Sequence, residues 1–83
     1  MKNLLTIRIS SPENLVWEGK GEWVSSINSK GPFDILPMHA NFITVVEKHP
    51  IKVKDETGKV NEYSFDRAVL YIHDNQVSIY VGI

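Results

Sequence analysis

The sequence predicts an all-β domain: a two-sheet β-sandwich of short, mostly antiparallel strands. Three observations carry that prediction. Apolar and polar residues alternate with period two at both ends of the chain. Leu5, Ile7 and Ile9 are set against Thr6, Arg8 and Ser10, and Val77, Ile79 and Val81 against Ser78 and Tyr80, which is the pattern of half-buried strands. Turn-forming residues separate the apolar runs at short intervals. No stretch has the 3.6-residue apolar stripe of an amphipathic helix; the best candidate, residues 41–49, is dominated by β-branched residues and stops against Pro50. Many short strands must then pack as two layers or a barrel, because a single sheet leaves one apolar face in water.

Taken in order, the first strand is the alternating run from Leu5, and the Ser11-Pro12-Glu13-Asn14 cluster turns the chain after it. "LVWEG" and "EWVSSI" read as two further strands, rich in aromatic and β-branched residues. The intervening "GKGEWV" reads as the turn between them. It begins like a phosphate-binding glycine loop, but a third glycine and a following helix are lacking, and Glu22 repels a phosphate. Gly31-Pro32 reads as a loop tip, residues 33–36 as a short strand, and Pro37 as the end of ladder pairing before His39. "FITVV", "IKVK", "VNEYSF" and "RAVLYIH" supply four more strands. The Asp55-Glu56-Thr57-Gly58-Lys59 loop and an Asp74-Asn75 hairpin turn lie among them, ahead of the closing strand.

At 83 residues the chain is read as one domain, 1–83, with a modest core and no internal repeat or linker. A formal net charge of -1, with nine Lys and Arg scattered among ten acids, lacks the gathered basic excess of a nucleic-acid binder. The chain contains no cysteine, so neither a disulfide nor a thiolate metal site enters the reading. The apolar run at the start is too short for a secretory signal and no later run approaches membrane-spanning length, so a cytosolic protein, peripheral to something larger, is expected.

The search for chemistry yields little. His39, His49 and His73 do not have the spacing of a compact zinc motif, so no metal and no cofactor is expected. Asp34 and His39 suggest half of a catalytic dyad, but no Ser or Cys in a nucleophile-elbow setting accompanies them, and a non-catalytic protein is expected. Trp17 and Trp23 are read more simply as large sheet or core residues than as a platform for sugars or bases.

What remains is "GPFDILPMHANFI", which places two prolines, an Asp, a His and an Asn among apolar residues. This stretch resembles the signature of the epsilon subunit of rotary ATP synthases, the delta subunit in mitochondria. There a Gly, an aromatic or Leu, Gly or Asp, Ile, Leu-Pro and His-Ala recur in that order. "SSPENLVWEGKGEWV" resembles the family's opening and "FDRAVLYIHDNQVSIYV" its closing hairpin with an Asn-bearing turn. The chain departs from the pattern at Asp66-Arg67-Ala68, where the family usually has a Gly pair. Many members also carry a pair of inhibitory helices after the sandwich, and this sequence resembles the short form without that helical domain.

The resemblance implies a central-stalk subunit, peripheral on the cytoplasmic side of the cell membrane. It links subunit gamma to the polar loops of the membrane c-ring and couples ion flow to ATP synthesis without the helical inhibitory function. It implies that Ser11, His39 and Thr44 lie near gamma and that Lys30, Gly31, Pro32 and Phe33 face the c-ring. His39 also has a plainer reading, as a side chain capping a turn with its ring nitrogens. A second class is a free-standing β-sandwich binding module for a carbohydrate or peptide, with Trp17, Trp23 and Tyr71 as its contact surface.

Overall fold

The computed structural model describes residues 3–82, and among them every regular element is a strand. The order is β1 (Leu5–Ser10), β2 (Leu15–Asn28), β3 (Gly31–Ile35), β4 (Phe42–Glu47), β5 (Ile51–Asp55), β6 (Val60–Tyr63), β7 (Arg67–His73) and β8 (Gln76–Val81). Hydrogen bonding joins them as β4-β7-β8-β1-β2-β5-β6, with β3 on β2. All pairings are antiparallel except β1 with β8, which run parallel from Thr6↔Gln76 to Ser10↔Tyr80.

The two expected layers are therefore one sheet curled over itself, and β2 is the strand that belongs to both. Its first half pairs with β1 through Leu5↔Gly21, while its second half pairs with β5 and β3, with Val24 opposite both Val53 and Ile35. "GKGEWV" is accordingly not a turn: it lies inside a 14-residue strand. The register shifts between Gly21 and Trp23 as the strand changes partners. Gly21 permits the crossing, because a Cβ there would stand 2.5 Å from Ile7 Cδ1 and 2.8 Å from the Lys54 carbonyl oxygen. Two strands can cross so closely only where one of them carries no side chain.

Alternation then fills the interior. Leu5, Ile7 and Ile9 of β1, Leu70 and Ile72 of β7, and Val77, Ile79 and Val81 of β8 face Val24, Ile35, Ile51 and Val53 across one core. Removing these branched aliphatic chains from water is the main term favouring the fold. Among the described residues Ser26 is the buried polar side chain, 6% exposed, and its hydroxyl donates to the Pro50 carbonyl at 2.9 Å. That bond ties β2 to the turn before β5.

The turns follow their residue types. Asp74 and Asn75 both adopt left-handed conformations, with φ of 49° and 62°, as a two-residue hairpin matched to strand twist requires. The Asp55 carboxylate accepts from the backbone N–H of Thr57 and of Lys59 and from the Thr57 hydroxyl, closing the β5–β6 loop. Gly31 and Pro32 are not the tip of their loop but the first residues of β3, paired with Asn28 and Ile27; Ser29 and Lys30 form the tip. A proline fits there because β3 pairs only with β2, so no ladder bond is lost on its outer side.

Candidate functional site

The singled-out stretch builds one end of the molecule. After β3, the His39 N–H donates to the Leu36 carbonyl at 3.1 Å, closing a turn in which Pro37 comes second and Met38 third, with φ of 69°. Proline followed by a positive φ is the type II arrangement, whose third position normally takes glycine. Met38 fills it with a side chain that is 76% exposed. Beyond the turn, His39 Nδ1 lies 2.8 Å from the Ala40 carbonyl and its ring meets Phe42 edge-on at 5.7 Å. Phe42 in turn packs edge-on against Phe33 at 5.9 Å, so the His39 ring rests on a short aromatic ladder leading into the core.

The tip of the β7–β8 hairpin lies against this turn. Asn75 Oδ1 accepts from the Met38 N–H at 2.6 Å, Asn75 Nδ2 points at Met38 Sδ at 3.7 Å, and the Asn75 carbonyl accepts from the Thr6 N–H at 2.8 Å. A shallow cleft lined by Met38, His39, Asn41, Asp74 and Asn75 opens between the two loops. The sequence marks Asp74-Asn75 as a turn, but nothing in it shows that the Asn75 side chain reaches back to Met38.

Ser11, His39 and Thr44 do not converge. Ser11 lies at the opposite end of β1 and β8, where its Oγ accepts from the Asn14 N–H at 3.1 Å within its own turn and Gly82 lies alongside. Thr44 points inward from β4, and its Oγ1 accepts from Asn28 Nδ2 at 3.0 Å, joining β4 to the end of β2. The four residues Lys30 to Phe33 also divide. Lys30 and Pro32 are exposed, whereas Phe33 turns inward against the core.

The outer face of β4, β7 and β8 carries an apolar patch, bordered by the exposed Glu47–Arg67 ion pair. Ile43, 67% exposed, stands opposite Tyr71, and Val45 opposite Val69, which is followed on the next strand by Tyr80. Trp17, Trp23 and Tyr71 share no surface. Trp17 packs on the core, Trp23 lines a cleft with Ser25, Asp34 and Leu36, and Tyr71 stacks on His73 of its own strand. Among the described residues no three of His, Asp or Glu group as metal ligands would. No helix among them is long and apolar enough to cross a membrane. Asp34 bonds to the Ser25 hydroxyl at 2.6 Å rather than to His39.

The comparisons with known proteins agree with this fold. The model of the ATP synthase delta/epsilon chain β-sandwich domain matches residues 4–82. The chain belongs to this family. An ATP synthase epsilon chain from Brevibacillus brevis is 24% identical over 75 residues, covering 90% of this chain and 57% of the relative. A chain in the Euglena gracilis mitochondrial ATP synthase structure that contains OSCP, F1 and the c-ring superposes with a TM-score of 0.85 at 14% identity, over 94% of this chain and 50% of that one. A chain in the central stalk/c-ring structure of the Tetrahymena thermophila mitochondrial enzyme gives 0.78 at 16% identity, over 98% and 63%. The chain thus spans about half to under two thirds of the length of these similar chains, and the structural likenesses show a shared fold.

Proposed function

We propose that this domain is a non-catalytic part of the central stalk of a rotary ATP synthase, bridging subunit gamma and the polar loops of the c-ring. The family match across residues 4–82 is the observation that carries the reading. The occurrence of similar chains in central-stalk and c-ring assemblies supports it. A linker between two rotating bodies must resist shear, and a curled sheet around one aliphatic core does so because its strands are cross-bonded on both sides of β2. In this reading the domain is peripheral to the membrane, on the cytoplasmic side, and the coupled ion is a proton or sodium.

The gamma contact is placed at His39 and along the outer residues of β4, Ile43 and Val45, where apolar surface is exposed. Thr44 lies behind that strand, and Ser11, a strand's length away, marks the far limit of a contact spanning the layer. In this reading the c-ring side is the β2–β3 hairpin, with Lys30 at its tip and Pro32 outward, Gly31 opening β3 and Phe33 anchoring that strand on the core. Co-purification of the chain with tagged gamma tests the first contact. Capture that weakens with Ile43→Asp but not with Lys30→Glu supports this division of surfaces. Absence of capture by folded protein sinks it.

A further inference from the structure

The turn that presents His39 is not held by its own residues alone. Its third residue, Met38, has a φ of 69°, which a non-glycine side chain adopts reluctantly, and the backbone N–H there would otherwise face solvent. Asn75 takes that N–H at 2.6 Å through Oδ1 and directs its amide nitrogen to the Met38 sulfur at 3.7 Å. Asn75 is itself left-handed, with φ of 62°, and its carbonyl is bonded to the Thr6 N–H at the start of β1. Asn75 therefore joins three parts of the chain at the end where His39 lies, its side chain reaching the Met38 turn and its backbone carbonyl the start of β1.

We propose that Asn75 is a positioning residue: its side-chain amide clips the Leu36–His39 turn to the β7–β8 hairpin and so fixes the orientation in which His39 meets its partner. The proposal rests on the stalk reading, in which the His39 end contacts gamma. Released from Asn75, the Met38 turn gains alternative conformations, and binding must then select one of them, which lowers apparent affinity.

Asn75→Gly isolates this role, because Asp-Gly is a favoured two-residue hairpin turn and glycine accepts the left-handed φ. The folded state survives while both side-chain contacts are lost. The expected result is an unchanged β-type circular dichroism spectrum and a melting temperature not lowered. Hydrogen exchange of the Met38 amide should quicken roughly three- to tenfold, as loss of one hydrogen bond implies, and the His39 ring resonances should shift. Affinity for gamma should fall several-fold. Asn75→Asp keeps an oxygen acceptor at the same position and should restore Met38 protection.

Unchanged Met38 exchange in Asn75→Gly overturns the clip. Faster exchange with undiminished affinity, in a chain whose binding His39→Ala does weaken, overturns the positioning role. If neither Asn75→Gly nor His39→Ala alters gamma binding, the assignment of this end to gamma falls, and the positioning role falls with it.

Discussion

Gly21 and Ile7 are in contact across the corner of the sheet: a single methyl added to Gly21 would lie 2.5 Å from the Ile7 Cδ1 and 2.8 Å from the Lys54 carbonyl. The Ile7 methyl can rotate aside, but the Lys54 backbone is fixed by the β2–β5 pairing. Gly21→Ala should therefore cost about 1–3 kcal/mol through overpacking. Gly58→Ala, at φ of 90° but with open space around it, should cost only about 1 kcal/mol from backbone strain. Urea denaturation of the two variants checks the order; an equal or reversed cost would show that β2 bends for another reason.

Ser26 supplies a second test. Its hydroxyl is buried and bonded to the Pro50 carbonyl, whereas Ser25 one residue earlier bonds outward to Asp34. Ser26→Ala should lower stability by about 1–2 kcal/mol because the Pro50 carbonyl loses its donor at a part-buried site, and Ser25→Ala by less. Midpoints of chemical unfolding for the pair discriminate them.

At Met38 the backbone, not the side chain, sets the outcome. Met38→Gly removes the left-handed strain but loosens the unfolded chain, so stability should hold or rise by up to about 1 kcal/mol. Met38→Val, β-branched at the same φ, should lower it by about 1 kcal/mol or more. Thermal melts of both, side by side, are sufficient.

The Asp55 carboxyl is held below its ordinary range, first by the Thr57 hydroxyl and then by the N–H groups of Lys59 and Thr57 and the Asn61 amide, while partial desolvation opposes them. A depressed folded value means that the contribution is fully present above the unfolded value of about 3.9 and is lost as pH falls through the folded one. The β5–β6 hairpin should loosen below about pH 4. Thr57→Val should move the Asp55 midpoint upward in an NMR titration; an unmoved midpoint would show that the hydroxyl does not hold the charge. Tyr63 behaves oppositely: burial, then the Asp55 charge, raises its phenol above the ordinary value. Its contribution should be lost only in strong alkali, as pH rises through that raised value.

Much of the fold is legible in the alternation of residues such as Leu5, Ile7 and Ile9, because a half-buried strand imposes period two on its own sequence. "RAVLYIH" coincides with β7 residue for residue. The glycine corner was not legible. Gly19-Lys20-Gly21 carries the composition of a turn, and only the crossing of β1 and β5 beside β2 explains why the strand runs on through it. The site was half legible. Pro37 announces a turn locally, but the contact between Met38 and Asn75 joins residues far apart in sequence, and no local pattern encodes it. The inward direction of Thr44 and Phe33 was not legible for the same reason: it depends on the register of β4 and β3 against neighbours that the sequence does not name.

The parallel pairing of β1 with β8 has a consequence for biosynthesis. β1 emerges early from the ribosome and occupies the middle of its layer, yet one of its edges is unsatisfied until residues 76–81 have been made. Until β8 has been made, a nascent chain presents that bare edge to whatever strand comes near, so closure of this layer waits on β8 and is slow compared with hairpin formation. An unpaired strand edge is a template for pairing with another chain until β8 covers it. Trigger-type chaperones that shield strand edges should shorten that exposure, and a circular permutant joining β8 directly ahead of β1 should change when it ends.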